Sequence, residues 1–314
     1  MTAGAAARSD GRLSESEILA MIAARIGRPS AMGPGDDLAI VPTVAGTMLA
    51  GADAMIEGTH FLRGTDWALV GRKALTRNLS DVAAMGAAPV ACVACVQFRP
   101  DMTLADVSRL LDGLVATATA YGCPLIGGDT SIHSSADHPF TIAVAITAAL
   151  APGQLPFTRC TARPGDDVFV TGSLGGSLGG GHGSHLTFEP RLALARELRA
   201  LHERAQLRIT SMMDLSDGLG RDATRLAHAS GVHIALHRDA IPASPGCSVA
   251  SAMADGEDYE LLFTASPNDG SIPQQLAQVS IATIGSVHAV DPGHPAGAFM
   301  DGASLEQEGW NHGG

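Results

Sequence analysis

Five short acidic motifs dominate this chain of 314 residues: Gly35-Asp36-Asp37, Gly51-Ala52-Asp53, Asn78-Leu79-Ser80-Asp81, Gly127-Gly128-Asp129 and Asp214-Leu215-Ser216-Asp217-Gly218. Each sets a carboxylate beside Gly or Ser at the edge of an apolar stretch, where a strand or helix ends. Two carboxylates about 4 Å apart repel by roughly 4 kcal/mol at a protein-surface dielectric. A convergent set of them therefore holds protons or binds cations. Hard oxygen donors of this kind suit magnesium held against the phosphates of a nucleotide.

Each motif also has a plainer explanation. Gly35-Asp36-Asp37 has the composition of a turn, as has its twin Gly165-Asp166-Asp167. Asp81 lies four residues from Arg77, the spacing of a helical ion pair. Asp217 can cap a following helix. Glu257-Asp258-Tyr259-Glu260 precedes the apolar Leu261-Leu262-Phe263 and reads as a solvated acidic face at the start of a strand. His60, after Glu57-Gly58-Thr59, fits a satisfied core histidine. Asp53 and Asp129 resist such readings, because both adjoin apolar segments where a carboxylate needs a partner.

The run Gly172–Gly183 is glycine-rich and has the character of a phosphate cradle, but it lacks the Gly-Lys-Ser/Thr ending of a P-loop. Gly218-Leu219-Gly220-Arg221-Asp222-Ala223 fits the dinucleotide fingerprint, with Asp239 near the spacing of a ribose-binding acid, and raises a dehydrogenase as a rival. Asp217 directly before its first glycine would repel a pyrophosphate without metal.

Hydrophobic periodicity supplies the elements that must carry these motifs. It predicts helices over Ser14–Arg25, Trp67–Met85 (capped by Asp66), Leu104–Tyr121, Pro190–Arg204, Leu219–Ala229, Val249–Ala254 and Pro273–Val279. Strands are expected at Leu38–Val41, Thr47–Ala50, Val90–Phe98, Pro124–Ile126, Thr141–Ala149, Asp167–Thr171, Ile209–Met213, Val232–Leu236, Tyr259–Thr264 and Ile281–Val287. Asp53 should thus close one strand, and Asp129 should follow another. Strands alternating with helices in both halves predict two α/β or α+β domains, 1–150 and 151–314, divided in the Pro- and Gly-punctuated Ala151–Gly165.

The hydrophobic fraction of 46% supports sizeable cores, and a net charge of −12 argues against nucleic acid as a partner. The five cysteines do not form a disulfide framework. Cys92 and Cys95 lie on one strand and should face opposite ways. No secretory signal or membrane span is apparent, which predicts a cytoplasmic protein.

Taken in order, six blocks carry a resemblance. They are Gly-Asp-Asp at 35–37, Asp53 through His60-Phe61, Lys73-Ala74-Leu75 to Asn78–Ala87, Leu125–Thr130, Asp214–Leu219 and Gly256–Leu261. From about Gly33 to Trp310 the chain resembles the thiamine-monophosphate kinase family, within the aminoimidazole ribonucleotide synthetase-like superfamily. The resemblance implies a two-domain α/β (α+β) fold, dimeric through N-terminal mixed sheets, with a C-terminal α/β domain closing a cleft. It implies ATP-dependent phosphorylation of thiamine monophosphate to thiamine diphosphate, with ATP and several Mg2+ ions. By motif match, Asp37, Asp53, Asp81, Asp129, Asp214 and Asp217 would hold metal. Gly128, Asp129, Arg159 and Ser216 would meet the nucleotide. His60, Glu257 and Trp310 would meet the thiamine end. No acid–base residue is implied, because the acceptor phosphate is already anionic. Gly51 and Ala52 stand where the family usually has Ser or Thr, and the 172–190 segment is shorter than the family's. Alternatives are another ATP-using enzyme of the superfamily with a different acceptor, or a nucleotide-binding regulator.

Overall fold

The computed structural model describes residues 21, 25, 48–178, 183–266, 272–306, 308 and 309. Asp36, Asp37, Trp310 and the strand expected at Leu38–Val41 lie outside the described residues, as does the helix expected at Ser14–Arg25 except for Met21 and Arg25, both helical. Contacts divide the chain into two compact units. The first comprises Met1–Leu79 and Pro89–Gly153, and the second Ser80–Ala88 and Gln154–Gly314.

The first unit holds a four-stranded mixed sheet in the order β1-β4-β2-β3. Its strands are β1 (Met48–Ile56), β2 (Ala88–Phe98), β3 (Leu125–Ile132) and β4 (Thr141–Ala149). β1 and β4 are antiparallel, β2 and β3 parallel. β4 alternates until its last residue: Ile142, Val144, Ile146 and Ala148 are buried, while Ala143 and Ala145 are half-buried on the other face. Cys92 is buried and Cys95 exposed, so this CxxC does face two ways.

Two helices accompany the sheet, α1 (Trp67–Ala84) and α2 (Leu104–Ala120). Asp66 accepts from the Ala68 N–H at 2.9 Å and starts α1, whose Val70, Ala74, Leu75, Leu79 and Val82 are all buried. Thr103 and Asp106 form a reciprocal capping box on α2. Leu104 is exposed, because it stands in the first turn ahead of the packed stripe. The helices approach closely. A Cβ on Gly71 would lie 2.1 Å from the Leu110 carbonyl oxygen, and one on Gly113 1.9 Å from that of Ala68.

The second unit is built on an eight-stranded sheet ordered β12-β11-β7-β10-β5-β8-β6, with β9 paired to β10. These strands are β5 (Asp167–Thr171), β6 (Ile209–Asp214), β7 (His233–Leu236), β8 (Leu261–Ala265), β9 (Gln275–Leu276), β10 (Val279–His288), β11 (Gly297–Met300) and β12 (Ala303–Ser304). The helices are α3 (Leu192–Glu203), α4 (Leu219–Ser230) and α5 (Val249–Ala254). β7 and β11 pair in parallel. At the β6 edge, the Met212 N–H donates to the Thr158 carbonyl (3.1 Å) and Thr161 Oγ1 to that of Thr210 (2.5 Å).

Three expectations need correction. Pro273–Val279 is a hairpin rather than a helix: β9 pairs with β10, and Ala277 (φ 46°) and Gln278 (φ 64°) form its left-handed turn. β1 runs on to Ile56, so Asp53 sits within the strand rather than at its end. β3 runs on to Ile132, so Gly127-Gly128-Asp129 lies inside it. There Gly128 approaches β2 so closely that a Cβ would stand 1.8 Å from the Ala94 carbonyl oxygen.

The helix crossing gives a direct test. Gly113→Ala must push α1 and α2 apart and should cost about 1–3 kcal/mol, read as a lower denaturation midpoint. An unchanged midpoint would show that the crossing is not tight.

Candidate functional site

In the first unit Asp53 pairs in register with the buried Val144, and its carboxylate lies 3.9 Å from Arg77 Nε on α1. Arg77 also donates to the Ala54 carbonyl at 3.0 Å. Asp129 is exposed on β3, opposite Cys95 of β2. Two strands separate Asp53 from Asp129 in the sheet, so these carboxylates are not neighbours along it. Beside Gly127, Gly128 and Asp129 an apolar pocket opens between α2 and the sheet, lined by Ala94, Val96, Leu110 and Leu114. Thr130 Oγ1, also on its wall, is buried without a hydrogen-bond partner. His60 is half-buried: its Nδ1 accepts from the Ile56 N–H (3.0 Å), and its carbonyl accepts from the fully buried Lys73 Nζ (2.6 Å).

In the second unit Ser80 donates to Asp214 Oδ2 at 2.7 Å, which joins the Asn78–Ala87 block to the Asp214–Gly218 block. Asp214 and Asp217 are both buried, and Asp81 is half-buried on the last turns of α1. Asp217 does not cap α4. The cap position is Gly218 (φ 98°), and Asp217 instead meets Arg225 at 2.5 Å. Asp222, from the first turn of α4, reaches back to accept from the Ser216 and Asp217 N–H groups at 3.0 and 2.9 Å. Burial, reinforced by the charges of Asp214 and Asp217, pushes Asp222 up to about 7. Arg159 is exposed, and its carbonyl accepts from Ser230.

This geometry removes the dinucleotide reading. The N–H groups before Gly218 are turned onto Asp222, a carboxylate of the chain itself, and β6 pairs antiparallel with β8 where the fingerprint needs a parallel unit.

The described part of the glycine-rich run is likewise already engaged. The Gly175 N–H donates to both oxygens of Asp258 (3.1 Å each), the Gly176 N–H to Asp255 (2.9 Å), and Ser177 Oγ to Asp258. These N–H groups hold internal carboxylates, not an incoming phosphate. The Glu257–Glu260 block is accordingly not a solvated face. Asp258 and Glu260 are buried, and Glu260 is bound by Thr171 Oγ1 (2.6 Å) and Arg191 Nε (2.7 Å). His185 Nδ1 lies 3.1 Å from Glu257 Oε2, and Phe188 stacks on Tyr259 with ring centroids 4.1 Å apart. Sequence reading missed His185 and the role of Asp222. Asp222 stands four residues after Gly218, a spacing that allows a carboxylate to reach back over a helix start.

Among the described residues, no three His, Cys, Asp or Glu side chains converge as a ready metal cage. The donors are nonetheless carboxylates, and magnesium is commonly bound by one or two of these together with substrate phosphates. The residues fit that mode.

Asp258 makes a pH-dependent contribution. Burial pushes it up to about 6, against the opposing hydrogen bonds from Ser177 and Gly175 and with the charges of Glu260 and Asp255 adding to the rise. An acid raised on folding stabilises while protonated, so its contribution falls as pH rises from about 4 to about 6. Asp258→Asn removes that slope. Denaturant unfolding at stepped pH should show the parent losing up to about 3 kcal/mol relative to the variant across this window; parallel curves would refute the assignment.

Residues 35–150 match the family described as AIR synthase related protein, N-terminal domain. A thiamine-monophosphate kinase of Halobacterium salinarum is 32% identical over 294 residues, which is 88% of this chain and 94% of that protein. The crystal structure of the thiamine-monophosphate kinase from Stenotrophomonas maltophilia superposes with a TM-score of 0.75 at 28% identity, over 93% of this chain and 98% of that one. AaThiL complexed with AMPPCP and TMP gives a TM-score of 0.69 at 28% identity, over 99% and 100%. The fold is therefore that of these enzymes, and the chain belongs to the thiamine-monophosphate kinase family.

Proposed function

We propose that this chain transfers the γ-phosphoryl group of ATP to thiamine monophosphate, giving thiamine diphosphate and ADP. The observation that carries this reading is a family relation running through nearly the whole chain, which includes likeness to AaThiL complexed with AMPPCP and TMP. The pocket beside Gly127-Gly128-Asp129 supports it, because its apolar wall suits a flat nucleobase.

In the reaction the bond from the γ-phosphorus to the β-bridging oxygen breaks. A bond forms from that phosphorus to a phosphate oxygen of the acceptor. The acceptor oxygen is already anionic, so no strong general base is required; the work is alignment and charge neutralisation. Asp37, Asp53, Asp81, Asp129, Asp214 and Asp217 are the residues that would hold magnesium. When bound, the metal neutralises phosphate charge and orients the oxygens for in-line transfer. Ser80 fixes one oxygen of Asp214, and Arg225 holds Asp217. Gly128, Asp129, Arg159 and Ser216 serve the nucleotide. His60, Glu257 and Trp310 would serve the thiamine end, since a Trp face suits a cationic thiazolium. The active species is a cytoplasmic homodimer joined through the first-unit sheet, whose open face carries the small residues Val93, Cys95, Ala143 and Ala145.

Purified protein with ATP and thiamine monophosphate should form thiamine diphosphate only when magnesium is present, and Asp129→Asn should lower the rate about 100-fold or more. Diphosphate formation in excess chelator, or full activity in the variant, would overturn the metal assignment. For the dimer, Ala145→Lys should shift the sedimentation coefficient from dimer to monomer; an unchanged coefficient would place the interface elsewhere.

A further inference from the structure

Glu257 is held in an unusual way. Its φ is 64° and that of Tyr259 is 52°, both in the left-handed region that residues with a Cβ rarely adopt. Such backbone persists only where its surroundings fix it, and it gathers at functional positions. Here the surroundings can be named. The Glu257 N–H donates to the Ser216 carbonyl and the Tyr259 N–H to that of Leu215, both at 2.8 Å, which ties the turn to the Asp214–Gly218 block. Asp258, between them, is locked by Gly175 and Ser177. The His185 N–H donates to the Ser177 carbonyl at 3.2 Å, and the Phe188 ring lies flat on Tyr259. The segment from Gly175 to Phe188 thus touches Glu257, Asp258 and Tyr259 in turn, through His185, through Gly175 and Ser177, and through Phe188.

From this we infer that His185 is a positioning residue for the acceptor: its Nδ1–H fixes the Glu257 carboxylate so that this one anion faces the cationic ring of the substrate. The inference rests on the kinase reading above. His185 Nδ1 lies at ion-pair distance, 3.1 Å, from Oε2, and because a carboxylate only accepts, the contact favours hydrogen on Nδ1. The Tyr259 hydroxyl stands 3.4 Å from the other oxygen, Oε1. The two partners grip the carboxylate from both sides, and the buried His185 ring cannot swing away into solvent. A carboxylate with a fixed direction pays little ordering entropy when a cation arrives.

The test compares His185→Ala with His185→Asn, whose amide nitrogen stands where the imidazole Nδ1 does. His185→Ala should raise the KM for thiamine monophosphate about tenfold, the size expected for losing one hydrogen bond to a charged group. The KM for ATP should not move. His185→Asn should restore most of the loss. An unchanged KM for thiamine monophosphate, equal rises for both substrates, or no recovery with Asn would overturn the inference while leaving the kinase reading intact. Calorimetric binding of thiamine monophosphate without nucleotide separates the two claims. Equal binding by the parent and by His185→Ala refutes the positioning role alone. Parent protein that neither binds nor phosphorylates it refutes both.

Discussion

The second unit is organised around the need to satisfy acidic groups that it buries. Asp214, Asp217, Asp222, Asp258 and Glu260 are all below 10% exposed. An unpaired carboxylate in such surroundings costs several kcal/mol. The chain meets this demand with three kinds of donor. Backbone N–H groups serve Asp222 and Asp258, hydroxyls of Ser80, Thr171 and Ser177 serve Asp214, Glu260 and Asp258, and guanidinium groups of Arg191 and Arg225 serve Glu260, Asp217 and Asp222. Except for Arg225, one helical turn from Asp222 on α4, each donor comes from a different stretch of chain than its acceptor, or from the far side of a turn. Supplying them fixes the path of the glycine-rich run, the start of α4 and the entrance to β8.

The same logic explains Arg199, the buried cation of α3. Its guanidinium donates to the carbonyls of Met85, Gly86 and Leu155 at 3.1, 3.1 and 2.8 Å and lies 3.9 Å over the Phe157 ring. Met85 and Gly86 follow the end of α1, where unsatisfied carbonyls make the helix end electronegative and a cation is favoured. Gly86 has a φ of 62°, and a Cβ there would press into Phe157 and the guanidinium. These contacts tie the end of α1 and the turn after it, within Ser80–Ala88, into the second unit.

Much of this could be read from the sequence, and for a physical reason. Long periodic segments such as Trp67–Ala84 and Leu104–Ala120 declare themselves because one face must be buried, and Asp66 and Thr103 mark where they begin. What stayed hidden was set by partners distant in sequence. β11 and β12 are four and two residues long, too short for a period to show. The turn at Ala277-Gln278 carries no glycine or asparagine to advertise left-handed backbone, and so Pro273–Val279 looked helical. The fate of the glycine-rich run was invisible for the same reason. Its composition shows that N–H groups can converge, but not that Asp258, more than eighty residues away, is what they converge on. Asp53 and Asp129 were legible as unusual carboxylates, while the strands that carry them ran several residues beyond their predicted ends.

The covered margin of the large sheet bears on how the chain behaves at high concentration. A sheet margin with open backbone groups is a template for adding a foreign strand, the first step toward aggregation. On the β6 side, Thr158 and Thr161 already occupy the backbone at Met212 and Thr210. On the other side β12 offers only Ala303 and Ser304, too little length for a stable register. The acid-bearing strand β6 is thus covered along that edge by a loop of its own chain.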